Sequence, residues 1–245
     1  MRVLFPNAPA ADVPHAVLVT TSGGMVGGDR LDIAVEAGRD AKALVTTQAA
    51  EKIYRSSGAT SHLTATVHAR RGAWLEWLPQ ETILFDAARL RRTTSVRLER
   101  DARVLAGEIL VFGRHAHGEA LKRGLLQDRW HVRSEDRLIW ADSTRLDGDV
   151  ATRLAAPFGF AGAAASATLI YAGPDASALR DPLRELIGES DSELRCGATA
   201  LPDLLVCRWL ARDAARLRLS FGQVWAGFRC VAAALPKKLP ATWHC

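Results

Sequence analysis

Three carboxylates stand among large apolar side chains in the segment Glu76-Trp77-Leu78-Pro79-Gln80-Glu81-Thr82-Ile83-Leu84-Phe85-Asp86. Apolar surroundings disfavour the charged form of an acid and raise its pKa, the condition for general acid catalysis. No nucleophile with an adjacent base accompanies them. A second polar run, Thr46-Thr47-Gln48-Ala49-Ala50-Glu51-Lys52-Ile53-Tyr54-Arg55, follows an apolar stretch. It reads either as a solvated strand end whose charges pair with one another or as a surface that meets a partner. His115 and His117, two residues apart, would share one face of a strand as half of a metal site, or stand exposed at the turn after Gly113-Arg114. His244 and Cys245 offer a further pair of borderline-metal ligands.

The glycine-rich run Ser22-Gly23-Gly24-Met25-Val26-Gly27-Gly28-Asp29 permits positive φ angles and close approach of a backbone or a ligand. A phosphate loop needs a lysine where Asp29 stands, and the spacing does not match a dinucleotide fingerprint. A tight turn leading into a strand at Arg30 is the better physical reading, with Asp29 as a turn cap or a hard oxygen ligand.

Period-two alternation dominates the elements that must hold these groups. Leu31, Ile33 and Val35 alternate with polar neighbours, as do Leu63, Ala65 and Val67. Further strand-like runs lie at 73–78, 95–98, 109–112, 130–132 and 138–140, with Pro79 breaking two of them apart. Helical spacing occurs late, over Ser177 to Ile187 and Asp213 to Ala233, with a buried strand at Leu204-Leu205-Val206-Cys207 between. Phe158 to Ala165 suits either a flexible connection or a tightly packed strand. The expectation is a mainly β protein: a stacked β-helix-like or sandwiched body with two α-helices in the C-terminal third, organised as a single domain over 1–245, mostly β to 172 and helix-containing from 173.

A chain of 245 residues with 48% apolar and 24% charged content can bury a sizeable core. It contains no apolar run long enough to span a bilayer and no signal peptide, so a cytoplasmic location without membrane attachment is expected. The four cysteines lack the spacing of a disulfide or zinc framework and read as reduced thiols. The net charge of +5 comes from arginines interspersed with acids instead of a massed basic patch, and such a surface suits an acidic protein partner as well as it suits nucleic acid.

Taken in order, Gly-Gly-Met-Val-Gly-Gly-Asp (23–29), Thr-Thr-Gln-Ala-Ala-Glu-Lys-Ile-Tyr-Arg (46–55), Glu-Trp-Leu-Pro-Gln-Glu-Thr-Ile-Leu-Phe (76–85) and Phe-Gly-Arg-x-x-x-Gly-Glu (112–119) resemble the urease accessory protein UreD (UreH) family. The motif positions are Gly23, Gly24, Gly27, Gly28, Gln48, Lys52, Tyr54, Arg55, Gly113, Arg114, Gly118 and Glu119. The resemblance is close over residues 3 to 150 and looser beyond, through the strand near Val206 and the helix with Trp225 and Arg229. It implies a stacked β architecture with two helices, no catalytic activity, and action with UreF and the GTPase UreG on the urease apoprotein. It also implies no tightly bound cofactor but a transient path for Ni²⁺. Asp29, Glu51, Glu81 and Glu108 are the candidate oxygen ligands in the closely matching stretch. Relative to the family pattern, the chain starts late, near Phe5-Pro6, and lacks an arginine often found just before the C-terminal tryptophan. A carboxylate enzyme and a basic nucleic-acid-binding module are the rival readings.

Overall fold

The computed structural model describes residues 1–7 and 11–244, so Cys245 of the C-terminal ligand pair lies outside the described residues. Within them the chain winds as a solenoid that passes alternately through two sheets. In the first sheet β2 (His15–Val19), β4 (Lys42–Thr47), β7 (Trp74–Leu78) and β10 (Arg103–Arg114) pair in parallel. In the second, β3 (Arg30–Ala37), β6 (Ser61–Ala69), β9 (Arg89–Leu98) and β12 (Arg123–Ser134) do the same. After breaks at 48–50 and 79–81, the short strands β5 (Glu51–Ile53) and β8 (Thr82–Leu84) resume the first sheet, and β8 pairs with the second half of β10. Pro79 cannot donate to a ladder and stands in such a break, as its position between two apolar runs implies.

The remaining strands close the body by antiparallel pairing. β1 (Arg2–Leu4) lies along β2, β11 (Glu119–Ala120) folds back on β10, and β13 (Arg137–Asp149) covers β12. β14 (Ala165–Ala172), β16 (Leu204–Ala211) and β15 (Leu194–Leu201) extend the first sheet beyond β10. The thiols of Cys196 on β15 and Cys207 on β16 face each other at 3.6 Å as free cysteines.

Alternation along β10 explains the layering. Val104, Ala106, Glu108, Leu110 and Phe112 point between the sheets, into the core that holds Leu75, Leu90, Val96, Leu126 and Val132. Leu105, Ile109 and Val111 point the other way, into a second core beneath the helices with Trp209, Phe221, Trp225 and Phe228. A strand buried on both faces reads as one continuous apolar run, which is what 109–112 shows. Gly107 lies under the helix layer: a Cβ there would sit 2.7 Å from Cζ of Phe221 and 3.0 Å from the Thr168 carbonyl oxygen, so the helix can approach only a residue without a side chain.

That helix, α3, spans Ala214–Ala233 and is capped by Asp213, whose carboxylate accepts from the amides of Ala215 and Arg216. The earlier helical stretch divides into a 3₁₀ turn over Ala176–Leu179 and α2 over Arg180–Ile187, with Pro182 tolerated in the first turn of α2. A third helix that periodicity did not indicate, α1 (Val150–Ala155), is too short to show a stripe; its signal is the Asp149 cap, which accepts from the Thr152 amide at 3.2 Å. Residues 156–164 form consecutive turns instead of a strand, with Phe160 edge-on to Phe112 at 5.2 Å. No described helix is long and apolar enough to cross a membrane.

Candidate functional site

The four motifs that suggested a family lie along one side of the solenoid and hold successive coils together. Met25 donates to the Lys52 carbonyl at 2.8 Å and accepts from the Tyr54 amide at 2.9 Å, and the Tyr54 hydroxyl donates to Gly23 O at 2.9 Å. A Cβ at Gly24 would strike the Lys52 carbonyl, and one at Gly27 would strike Ser56 Oγ. The glycines therefore serve backbone approach, not a ligand. Tyr54 stacks edge-on with Phe85 at 4.9 Å, and the Arg114 guanidinium lies 4.2 Å from the centre of the Phe85 ring while pairing with Glu119. Glu119 in turn accepts from the Asp86 amide at 2.8 Å. Phe85 is thus a half-buried stacking residue and not core, whereas Trp77 is core.

The three carboxylates of 76–86 go to three different places. Glu76 is fully buried and accepts from the indoles of Trp74 and Trp225 at 3.0 and 2.8 Å and from Arg229. Glu81 faces the outer groove and pairs with Arg218 of α3 at 2.5 Å. Asp86 accepts from the amides of Lys122 and Arg123 at 2.9 and 3.1 Å; burial opposes its charged form, but these bonds hold its carboxyl below the usual range. Each is engaged, and no two share a cleft, so the segment offers no acid–base pair. Arg218 also donates to the Trp243 carbonyl at 3.0 Å and lies over its ring, while the Gln80 amide nitrogen donates to the carbonyls of Gln48 and Thr242, each at 2.8 Å.

Of the four candidate ligands, Asp29 caps its own turn, accepting from the Val26 amide at 2.9 Å, and does not reach the interior. Glu51 and Glu108 face a common cavity. Both line this small, partly open space of about 40 Å³ between the sheets, together with Thr20, Thr82, Arg92 and Thr94. Strand register brings them there: Glu51 on β5 is the partner of Thr82 on β8, and Thr82 is the partner of Leu110, two positions from Glu108 on the inward face of β10. Glu51 accepts from the Thr20 hydroxyl at 3.0 Å, and burial pushes its carboxyl up.

At the far end Arg92 serves two acids at once. Its Nε and Nη2 donate to both oxygens of Asp128 at 2.7 and 2.9 Å, its Nη2 to Glu108 at 2.5 Å, and its Nη1 to Thr82 at 3.1 Å. One buried cation cannot neutralise two buried carboxylates. Burial drives Glu108 well above the carboxylate range and the Asp128 charge adds to this, while the opposing charge of Arg92 is insufficient to reverse it. Burial would raise Asp128 as well, yet the charge and bidentate bonds of Arg92 hold it low. Of the two acids, Glu108 is therefore the one whose carboxyl is pushed up and Asp128 the one held low. Arg92 and Asp128 were missed as site residues, although both stand at inward positions of alternating strands, Leu90-x-Arg92-x-Thr94-x-Val96 and Leu126-x-Asp128-x-Trp130, where a charge signals a buried pair.

An acid whose pKa is raised by folding binds its proton more tightly in the native state, so its contribution to stability is present at low pH and lost as pH rises through its folded value. Glu51 and Glu108 should thus make the protein less stable on going from about pH 5 to pH 8, relative to a protein without them. Urea unfolding across that range should show a shallower decline for Glu108→Gln than for the wild type; identical slopes would mean that Glu108 titrates alike folded and unfolded.

His115 and His117 lie in a 3₁₀ turn (His115–His117) closed by Gly118, both exposed, with His115 Nε2 against the Phe112 carbonyl at 3.1 Å. They share no strand face. Among the described residues, no group of three or more His, Cys, Asp or Glu side chains is placed to hold a metal ion.

The model of a family described as UreD urease accessory protein matches residues 1–244. The urease accessory protein UreD of Magnetococcus marinus is 49% identical over 246 residues, covering 99% of this chain and 85% of that protein. Its namesake in Azorhizobium caulinodans is 45% identical over 218 residues, covering 89% and 79%, and that of Methylobacterium sp. 42% identical over 247 residues, covering 100% and 85%. With the family model and such relatives spanning nearly all of it, the chain belongs to the UreD family of urease accessory proteins.

Proposed function

We propose that the chain is a non-catalytic, cytoplasmic scaffold for nickel insertion into urease, acting as one unit over residues 1–245 with UreF, the GTPase UreG and the urease apoprotein. The observation that carries the nickel role is the pair of carboxyls, Glu51 and Glu108, facing one small, partly open cavity of about 40 Å³. Such a space accommodates a water or an ion and not an organic substrate. Hard oxygen ligands suit a cargo that must leave again better than thiolates would. A carboxyl that holds a proton in the absence of cargo releases it as a dication arrives, so binding is transient and costs no permanently buried charge. The path is assigned to Glu51 and Glu108 with Thr20, Thr82 and Thr94; Asp29 and Glu81 are bound into a turn and an ion pair.

Co-expression of this chain with UreF, UreG and the urease apoprotein in nickel-containing medium tests the reading. The chain should co-purify with these partners, and urease activity should depend on its presence. Failure to associate, together with full activation in its absence, would overturn it.

A further inference from the structure

A second polar concavity lies on the surface, away from the cavity between the sheets. It has a volume of about 940 Å³ and forms where the chain turns from the first sheet into the second on successive coils. Arg55 follows β5, Arg89 opens β9, and Lys122 and Arg123 stand at the start of β12. None of these four cationic heads makes a hydrogen bond or salt bridge with the described residues. The Nε of Arg89 is buried and has no acceptor among the described residues, so the guanidinium charge is not tied down by a neighbouring carboxylate.

The acids nearby are occupied. Asp86 is held by the amides of Lys122 and Arg123, and Asp149 by the amide and hydroxyl of Thr152 at 3.2 and 2.7 Å. Both carboxyls are held below their ordinary range and stay ionised. Asp147, which feels the charge of Arg89, is paired with Arg145 at 2.7 Å. Four cations against Asp86 and Asp149 leave two positive charges facing the concavity.

We propose that this concavity is a binding site for a dianionic oxyanion of the phosphate class, held by the cationic heads of Arg55, Arg89, Lys122 and Arg123 that line it. Guanidinium groups match such an anion in geometry as well as in charge. The oxyanion is either free phosphate or the phosphate chain of a nucleotide.

Calorimetric titration of the full-length protein with inorganic phosphate, pyrophosphate and ATP tests this. Saturable one-to-one binding of phosphate or pyrophosphate is expected, weakening as salt is raised. Arg89→Gln should lower the affinity by about tenfold or more. Should Arg89→Gln fail to fold, the exposed pair Arg55→Gln and Arg123→Gln, introduced together, carries the same expectation. ATP binding more tightly than pyrophosphate assigns the site to a nucleotide; equal or weaker binding assigns it to the free anion. The proposal is overturned if the folded wild type shows no saturable binding of any of the three, if an acidic peptide binds while they do not, or if binding survives unchanged in the paired variant.

Discussion

Replacing Arg229 by Ala is expected to lower stability by about 3–5 kcal/mol, the usual cost of removing one partner from a buried ion cluster. Arg229 is fully buried on α3. It donates to both oxygens of Glu76 at 3.0–3.1 Å, to Asp12 at 2.6 Å and to the Pro236 carbonyl at 2.8 Å. One guanidinium thus ties the helix layer to β7 of the first sheet, to the segment before β2 and to the C-terminal tail. Without it Glu76 is left buried, with two indole donors and no cation. For a chain of this size each kcal/mol moves Tm by about 2–4 °C, so scanning calorimetry should show a fall of about 10 °C. The exposed pair Arg208–Asp142, at 2.9 Å, is the control; Arg208→Ala should change stability by less than about 1 kcal/mol. A shift for Arg229→Ala no larger than that of the control would show that the cluster does not hold the layers together.

Glu108→Gln carries the largest expected functional effect. The amide occupies the same space, can still accept from Arg92, and leaves Arg92 and Asp128 as a balanced pair, so the fold should persist. On the proposed nickel role, what disappears is the carboxyl that would exchange its proton for the cation. Loss of a ligand-tuning group at a metal site typically costs about ten- to a hundredfold, and nickel-dependent urease activation should fall within that range while co-purification with partners is unchanged. Glu51→Gln should act in the same direction, and Asp29→Asn should not, because Asp29 caps a turn outside the cavity.

Much of this architecture is legible in the residues. Alternation at Leu31, Ile33 and Val35 and at Leu63, Ala65 and Val67 marks strands with one inward face, and Pro79 marks a real break between β7 and β8. The stripe from Leu217 to Phe228 marks α3. Which strands become neighbours is not legible, because a period of two states which side faces inward and nothing about the partner. The pairing of Glu51 with Thr82, and of Leu63 with Arg92 and Arg92 with Asp128, follows from coil lengths that only the folded chain reveals. The glycines at 24 and 27 were recognisable as sites of close approach, but the approaching backbone comes from 52–59, about thirty positions later. The acids show the same division. Glu76, Glu81 and Asp86 look like one group in sequence, yet alternation and a strand break send them to the helix interface, the outer groove and a turn.

The most direct test of the internal path is the nickel content of urease matured in complexes that contain either the wild-type chain or Glu108→Gln, measured by mass spectrometry on the same preparations used to score assembly. The account predicts intact complexes with nickel per urease reduced in step with activity. Full nickel loading by intact complexes carrying Glu108→Gln would contradict it and move the path outside this cavity.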